Sequence, residues 1–458
     1  MRLAPHAPAA ACRLFLASVA ASMSCGGAAS EAQAAWSVTR LGSTPLNVAA
    51  SPAPETSGLA YLGPSSTPGR HRFAAATENS GYVALVDVQF AADGLAVAAE
   101  AVAVAPLAGA LDFEGLAFTG SARGSVWMCD ETGPGLREFS LAHGGLLQSV
   151  ALPTVFSQHV ANKSLESLIL QRGRQVLWTA NEEALAVDGP VASVGAGTVV
   201  RLLELPLSGS TPTPAAQYAY EVEGVHANGL APQSGLVELV ALPDGTLLAL
   251  ERSFSALANP TFLNRIFALD FSAATDVSGA EFSHGLAGKE AAFEKVRKTL
   301  LWSGTADGLG GQNLEGLALG PELSPGRWAL VGVVDDGDAL SSGLVVSFVV
   351  SAAPSGDFTD DGRTDGDDLL VWQRGRGRLE PGFPQGDANR DGVVDALDLK
   401  AWEAAYGFSP GATIAIPEPR LLAWALPLWF AGSRGRRRQR TLRPRRQRVA
   451  TPLPRGTH

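Results

Sequence analysis

From Trp36 to about Ala353 the chain sets short runs of Val, Leu and Ala against Gly, Pro, Asp or Ser breaks roughly every eight to twelve residues. That rhythm predicts short β-strands, and hence an all-β sandwich, barrel or propeller. Five runs share one form: TSGLAYLG (56–63), FEGLAFTG (113–120), LESLILQRG (165–173), VELVALPDG (237–245) and LEGLALG (314–320). Each is an acidic or small residue, a small residue, an alternating apolar triplet and a Gly-containing turn. A second strand follows each turn and ends in acid: HRFAAATE at Glu78, GSVWMCDE at Asp130 and Glu131, RQVLWTANEE at Glu182 and Glu183, GTLLALER at Glu251 beside Arg252, and RWALVGVVDD at Asp335 and Asp336. Repeated hairpins with variable strands between them describe blades arranged radially. The expected fold over residues 36–353 is therefore a β-propeller, six blades favoured and five or seven also compatible. The strand around WSVTRLG is expected to pair with GLVVSFVV (343–350) and close the ring.

The pattern changes after residue 354. Residues 357–368, DFTDDGRTDGDD, and 387–398, DANRDGVVDALD, repeat one acidic twelve-residue spacing. Oxygen ligands at positions 1, 3, 5, 7, 9 and 12 with Gly at 6 are what a calcium loop needs. The second copy supplies Asp387, Asn389, Asp391, the Val393 carbonyl, Asp395 and Asp398. The first supplies Asp357, Thr359, Asp361, the Arg363 carbonyl, Asp365 and Asp368, and its threonine predicts weaker binding. An apolar segment with helical spacing follows each loop, LLVWQRGRG and LKAWEAAYG. The duplicated loop plus helix resembles a type I dockerin module. The resemblance covers about residues 355–409 and implies bound Ca2+ and a cohesin-like or envelope protein as partner.

The two ends read as targeting segments. Residues 1–35 open with Arg2 and Arg13, run through an apolar stretch and reach Ala32-Gln33-Ala34, as a secretory signal peptide does. A lipoprotein reading at Cys25 is the weaker alternative, because Ser22 stands where Leu is usual. Cleavage would remove Cys12 and Cys25 and leave Cys129 without an intrachain disulfide partner. Residues 417–438 combine Pro417-Glu418-Pro419, an apolar run from Leu421 to Gly432 and an Arg cluster, and resemble a PEP-CTERM sorting signal. A disordered basic tail with a chance apolar stretch is the other reading. The division is thus 1–35 signal peptide, 36–353 propeller, 354–410 calcium-loop module and 411–458 sorting segment. Signal peptidase and exosortase would act during export to the cell envelope or beyond, with the C-terminal segment available as a membrane anchor.

The net charge of -10 conceals an asymmetry: residues 420–458 hold 11 Arg and no acid, so residues 1–419 carry 24 basic against 45 acidic groups. A basic tail behind an apolar run of an exported chain reads as a positive-inside stop rather than a nucleic-acid contact.

The strings of the large domain, from DFEGLAF with WMCDETGPGLREFS to ELVALPDGTLLALERSF and NLEGLALGP with VDD, together resemble the bacterial "esterase-like activity of phytase" domain over nearly all of residues 50–350. That resemblance implies a secreted, phytase-like propeller. Gln312 stands where Asp is expected before NLEG, and Gly337 where Asn is expected after Asp335-Asp336.

A propeller gathers one strand end per blade around a mouth, so a repeated acid becomes a ring of carboxylates. Glu114, Glu166, Glu238 and Glu315 form one expected ring; Glu78, Glu131, Glu182, Glu251 and Asp335 form a second. Crowded carboxylates raise one another's pKa and attract a divalent cation, which here would be Ca2+. Alternatively each Glu accepts hydrogen bonds from backbone amides of its own blade. Arg252, Lys298 and Arg72 are the expected cations for a phosphorylated or ester substrate, with pairing to nearby Glu as the alternative for the first two. The chain lacks G-x-S-x-G, H-E-x-x-H and P-loop patterns. Its His residues, among them His71, His159, His226 and His284, are scattered, and Cys129 reads as a small buried residue. The two functions left are a calcium-dependent phosphoesterase or esterase, and a non-catalytic propeller that binds polysaccharide or protein in the envelope.

Overall fold

The computed structural model describes residues 36–48, 55–78, 80–335, 337, 341–352, 355–359, 363–378, 382–389 and 392–406. The signal-peptide and sorting readings, and the loop ligands Asp361 and Asp391, fall outside these residues.

Strand β1 (Trp36–Val48) precedes the first blade, which is β2 (Thr56–Pro64), β3 (Arg70–Thr77), β4 (Tyr82–Phe90) and β5 (Ala96–Pro106), and its end pairs parallel with β5 from Leu46–Ala99 to Val48–Ala101. The second is β6 (Phe113–Phe118), β7 (Ser125–Asp130), β8 (Gly135–Ser140) and β9 (Leu146–Val150). The third holds β10 (Leu165–Gln171), β11 (Val176–Asn181), β12 (Thr198–Ser208), the short β13 (Thr211–Pro212) and β14 (Gln217–Val222). The fourth is β15 (Leu230–Ala241), β16 (Leu247–Ala256), β17 (Phe262–Asp270) and β18 (Arg297–Gly304). The fifth is β19 (Leu314–Ser324), β20 (Arg327–Val334) and β21 (Leu344–Ala352), completed by β1. The N-terminal strand pairs antiparallel with β21 from Trp36–Ala352 to Pro45–Leu344, as expected. Closing the ring with strands from both ends makes the last blade depend on the first residues of the domain.

The inner strands pack in a circle, β2 on β6, β6 on β10, β10 on β15, β15 on β19 and β19 back on β2. Five blades close it, one per sequence hairpin, which corrects the favoured count of six. The extra chain length goes into the long β15 and β16 hairpin and an excursion between Asp270 and Arg297. There Val277, Phe282, Leu286 and Phe293 pack on Ala219 as a local core instead of building another sheet. Second strands such as β7 and β11 are buried along their whole length, because both faces of each blade meet a neighbour. The outer strand β9 is largely exposed.

All five inner strands carry a bulge at the same point: after Thr56, Phe113, Leu165, Leu236 and Leu314. In three of the five a Gly stands beside it, Gly58, Gly115 and Gly316, with Ser167 and Glu238 in the other two, and in those three it has a steric cause. A Cβ on Gly58 would lie 2.4 Å from the Glu114 carbonyl oxygen, and one on Gly316 would lie 2.2 Å from that of Ser57. Only Gly lets adjacent inner strands approach this closely.

Described by itself, the helical module has α1 (Gly366–Gly375) and α2 (Ala396–Ala405) around a small core of Phe358, Trp372, Ala388 and Val394. All-β propeller followed by a small helical region is therefore the fold. No helix among the described residues is long and apolar enough to cross a membrane.

Candidate functional site

The bulges turn the residue after each into the propeller mouth: Ser57, Glu114, Glu166, Val237 and Glu315. Beside them lie the residues that end the second strands, whose amides bond back to the inner strands' leading residues: Glu131 to Asp112 (2.9 Å), Glu182 to Ser164 (2.7 Å) and Asp335 to Asn313 (2.9 Å). Among the described residues three carboxylate groups form, each with oxygens within 4.8 Å of one another: Glu78, Glu315 and Asp335; Glu78, Asp112 and Glu114; and Glu131, Glu166 and Glu182. Thus Glu114, Glu166, Glu315, Glu78, Glu131, Glu182 and Asp335 do converge.

Glu238 and Glu251 do not join them as expected, because blade 4 is offset by one residue relative to its sequence likeness. Its bulge falls between Leu236 and Glu238, and Leu236 pairs with Glu251, so Val237 and Arg252 take the positions that carry acids elsewhere. A one-residue offset in a strand sends a side chain to the opposite face. Glu238 instead crosses the axis, 1% exposed, and accepts the amides of Leu59 (3.4 Å), Leu168 (3.4 Å) and its neighbour Leu239 (3.0 Å). The amides come chiefly from other blades, not from its own. Glu251 turns to the boundary with blade 3, where Tyr220 Oη (2.6 Å), the Glu223 amide (2.9 Å) and Lys298 Nζ (2.7 Å) meet it. Lys298 is consequently committed there, over the Phe267 ring at 4.2 Å, rather than at the mouth. Arg72 forms a bidentate pair with Asp87 (2.7 and 2.9 Å). It lies five strand residues from Thr77, about 17 Å from the mouth end of β3.

Arg252 is in the mouth as a brace across blades. Nη2 reaches Glu182 at 2.7 Å, and Nη1 meets Asn313 at 2.8 Å and Glu315. Lys163 Nζ binds the other Glu182 oxygen at 2.7 Å. Burial opposes ionisation of Glu182, yet Lys163 and Arg252 hold its carboxyl below the usual glutamate value. Elsewhere burial dominates and neighbouring acids add to it. Glu78 rises to about 7, with Asp335 and Asp112 contributing; Glu131 rises to about 7, with Glu182 contributing; Glu114 and Glu166 rise well above the ordinary range. Glu315 rises to about 8, burial outweighing its contact with Arg252. One Glu315 oxygen, Oε2, is buried and has no hydrogen-bond partner.

Sequence reading missed Asp112, Asn313 and Lys163. Asp112 and Asn313 hold one position, two residues before the inner-strand Glu, so extending the repeat upstream would have found them. Lys163 has no counterpart in other blades and carries no repeat signal. Gln312 supports the site from outside, its Oε1 accepting the Ser342 amide at 2.8 Å. His226 braces Ser253 and the Pro260 carbonyl, and His71 contacts Tyr61 Oη. Cys129 is a buried free thiol whose pKa burial pushes well up, as expected of a packing residue.

In the helical module the described residues of the two acidic repeats adopt matching structure. Asp365 and Asp395 cap α1 and α2, and Asp368 and Asp398 complete each capping box. Asp368 also accepts the Thr359 amide (3.0 Å), as Asp398 accepts that of Asn389 (3.2 Å). Trp372 donates to the Asp395 carbonyl at 2.8 Å, and Trp402 to that of Asp365 at 2.7 Å, so each helix steadies the other's loop. Asp357, Arg363, Asp387 and Val393 sit on these loops at the expected ligand positions.

Comparison with known proteins bears on the large domain. A search of curated protein sequences finds no match. Among solved structures, similarity is seen to a luciferin-regenerating enzyme (12% identity, 69% of this chain and 95% of that one, TM-score 0.30) and to a GH62 α-L-arabinofuranosidase catalytic domain from Coprinopsis cinerea (12%, 68% and 96%, TM-score 0.34). The family model for the esterase-like activity of phytase matches residues 51–338. These residues contain every acid of the mouth, and the chain belongs to the phytase-like family of that description.

Proposed function

We propose that the propeller mouth is a divalent-cation-dependent hydrolase site for a phosphate or carboxylic ester. The observation that carries this reading is the buried, unpartnered Oε2 of Glu315, inside a carboxylate group with Glu78 and Asp335. A buried carboxyl oxygen without a partner is costly unless a donor or a cation meets it. Glu78, Asp112, Glu114, Glu315 and Asp335 fit as the ligands of a hard cation such as Ca2+. Bound there, it would polarise a substrate oxygen and acidify a water.

The chain's own residues divide the remaining tasks. Arg252 spends both terminal nitrogens on Glu182, Glu315 and Asn313, so it positions carboxylates rather than substrate. Lys163 keeps N–H groups beyond its Glu182 contact and has a side chain 20% exposed, which suits it to a substrate's anionic oxygen. Glu131, titrating near 7 beside Glu166, suits proton transfer at neutral pH.

The test uses the purified full chain against phytate, p-nitrophenyl phosphate and short acyl esters, with calcium and with chelator. Calcium-dependent turnover that falls at least about a hundredfold in Glu315→Gln supports the reading. Lys163→Met should raise KM about tenfold with a smaller effect on kcat. Turnover no higher than that of Glu315→Gln on every substrate would overturn it and favour a binding propeller.

We infer that the segments flanking the propeller fix the location of the protein. The duplicated acidic loops bind Ca2+ and, as a dockerin-like module, attach the protein to an envelope partner, while the terminal segments direct export and sorting. Matching capping boxes and reciprocal Trp contacts support two similar loops. A calcium titration of the full chain, following Trp372 and Trp402 fluorescence, should show saturable binding with the Thr359 loop weaker.

A further inference from the structure

The inner strands also define the far end of the axis. Where their first residues carry the acids, their last residues and the following turns enclose a cavity of about 870 Å³. Glu166 and Gln171 are five residues apart on β10, so the two sites stand about 16 Å apart along it. Between them Glu238 draws the amides of Leu59, Leu168 and Leu239 across the axis. The volume lies in the range of small-molecule sites.

Its walls come from all five blades and mix polar with apolar surface, the apolar part coming from Tyr61 and Leu59 in the first, Phe118 in the second, Ile169 in the third, Ala241 in the fourth and Trp328 in the fifth. The charged groups on the wall are not equivalent. Arg174 pairs with Glu204 at 2.8 Å. Asp244 accepts Trp36 Nε1 at 2.8 Å, and Glu322 accepts the Gly326 amide at 3.2 Å. Arg172 differs. It donates one hydrogen bond, to the Phe118 carbonyl at 2.8 Å, and its guanidinium carbon lies 5.8 Å from that ring's centroid. Among the described residues no carboxylate pairs with it, and partial burial lowers its pKa. Arg172 is exposed, so its spare donors face solvent above an aromatic face at the cavity edge, where a guanidinium can take an anion.

We propose that this cavity is a second binding site, for an organic anion with an apolar ring-bearing body, whose charged head meets Arg172 while the ring packs among Tyr61, Phe118 and Trp328. The site is separate from the acidic mouth and needs no divalent cation.

The full chain is titrated in chelator with naphthalene-2-sulfonate and with neutral 2-naphthylmethanol, read by calorimetry and by quenching of tryptophan fluorescence. The sulfonate should bind with one-to-one stoichiometry and about tenfold more tightly than the alcohol. Arg172→Gln should remove that preference and leave alcohol binding unchanged; Glu315→Gln should alter neither. On the unmodified chain, added salt should weaken the sulfonate alone, a check that stands even if the Arg172 variant fails to fold. Equal affinities for the two probes, a preference that survives Arg172→Gln, or sulfonate binding that requires calcium would each overturn the proposal.

Discussion

The two arcs of the acidic mouth are built on the same inner-strand and second-strand positions, yet they are electrostatically unlike. On the arc of blades 3 and 4, Glu182 meets both Lys163 and Arg252 and is held ionised. On the arc running from blade 5 through blade 1 to blade 2, Glu78, Asp112, Glu114, Glu315 and Asp335 crowd together, with Arg252 at one edge through Glu315. The difference follows from the offset in blade 4, which puts Arg252 where other blades place an acid. One arc carries its own counter-charge, and the other is left to attract one.

The comparison can be broken most forcefully at Arg252. Arg252→Ala should cost about 3–5 kcal/mol, since it leaves buried Glu182 and Glu315 without their shared partner. Denaturant unfolding measures this, and a loss below about 1 kcal/mol would show that the arcs are not braced as described. Glu238→Gln tests the axis between them. Glutamine offers one acceptor oxygen where two now accept amides, and it turns N–H groups toward donors. A loss of about 1–3 kcal/mol is expected.

The pH dependence reports on raised acids of both arcs. Glu78, Glu131 and Glu315 have folded-state values of about 7, 7 and 8 against 4.5 for the ordinary group. The native state therefore holds more protons than the unfolded state in this window. Stability in chelator should fall as pH rises from about 4.5 to 8, and calcium should restore much of it. Thermal unfolding across that range, with and without calcium, is the measurement. Glu78→Gln at pH 8 in chelator should gain on the order of 1 kcal/mol from relieved repulsion. Glu131→Gln should gain less, because the Glu131 carboxylate also accepts the Ser164 amide at 3.1 Å.

Much of the architecture was legible because each hairpin repeats the same local requirements. The E-G-L runs combine an outward turn, a close approach at Gly and an apolar strand, and all five inner strands fall where those runs predicted. The blade count was harder, since extra length in β15, β16 and the excursion after Asp270 is indistinguishable in sequence from room for another blade. The site was legible in part. Acids at matching repeat positions converge, but likeness of strings placed Glu238 and Glu251 with them when the pairing of Leu236 with Glu251 decides otherwise.

By itself, then, the sequence determined the strands, their grouping into hairpins, the closing role of the first strand and the two helices that follow the acidic repeats. These depend on periodicity, on Gly where backbones meet and on capping side chains, all of which are local. Only the tertiary structure decided which acids share solvent and which are consumed. A bulge one residue earlier or later reverses the face of a side chain, and the cations at issue, Lys163 and Arg252, reach Glu182 from loop and strand positions 19 and 70 residues away. Charge pairing across blades is a matter of distance in space, which no local pattern encodes.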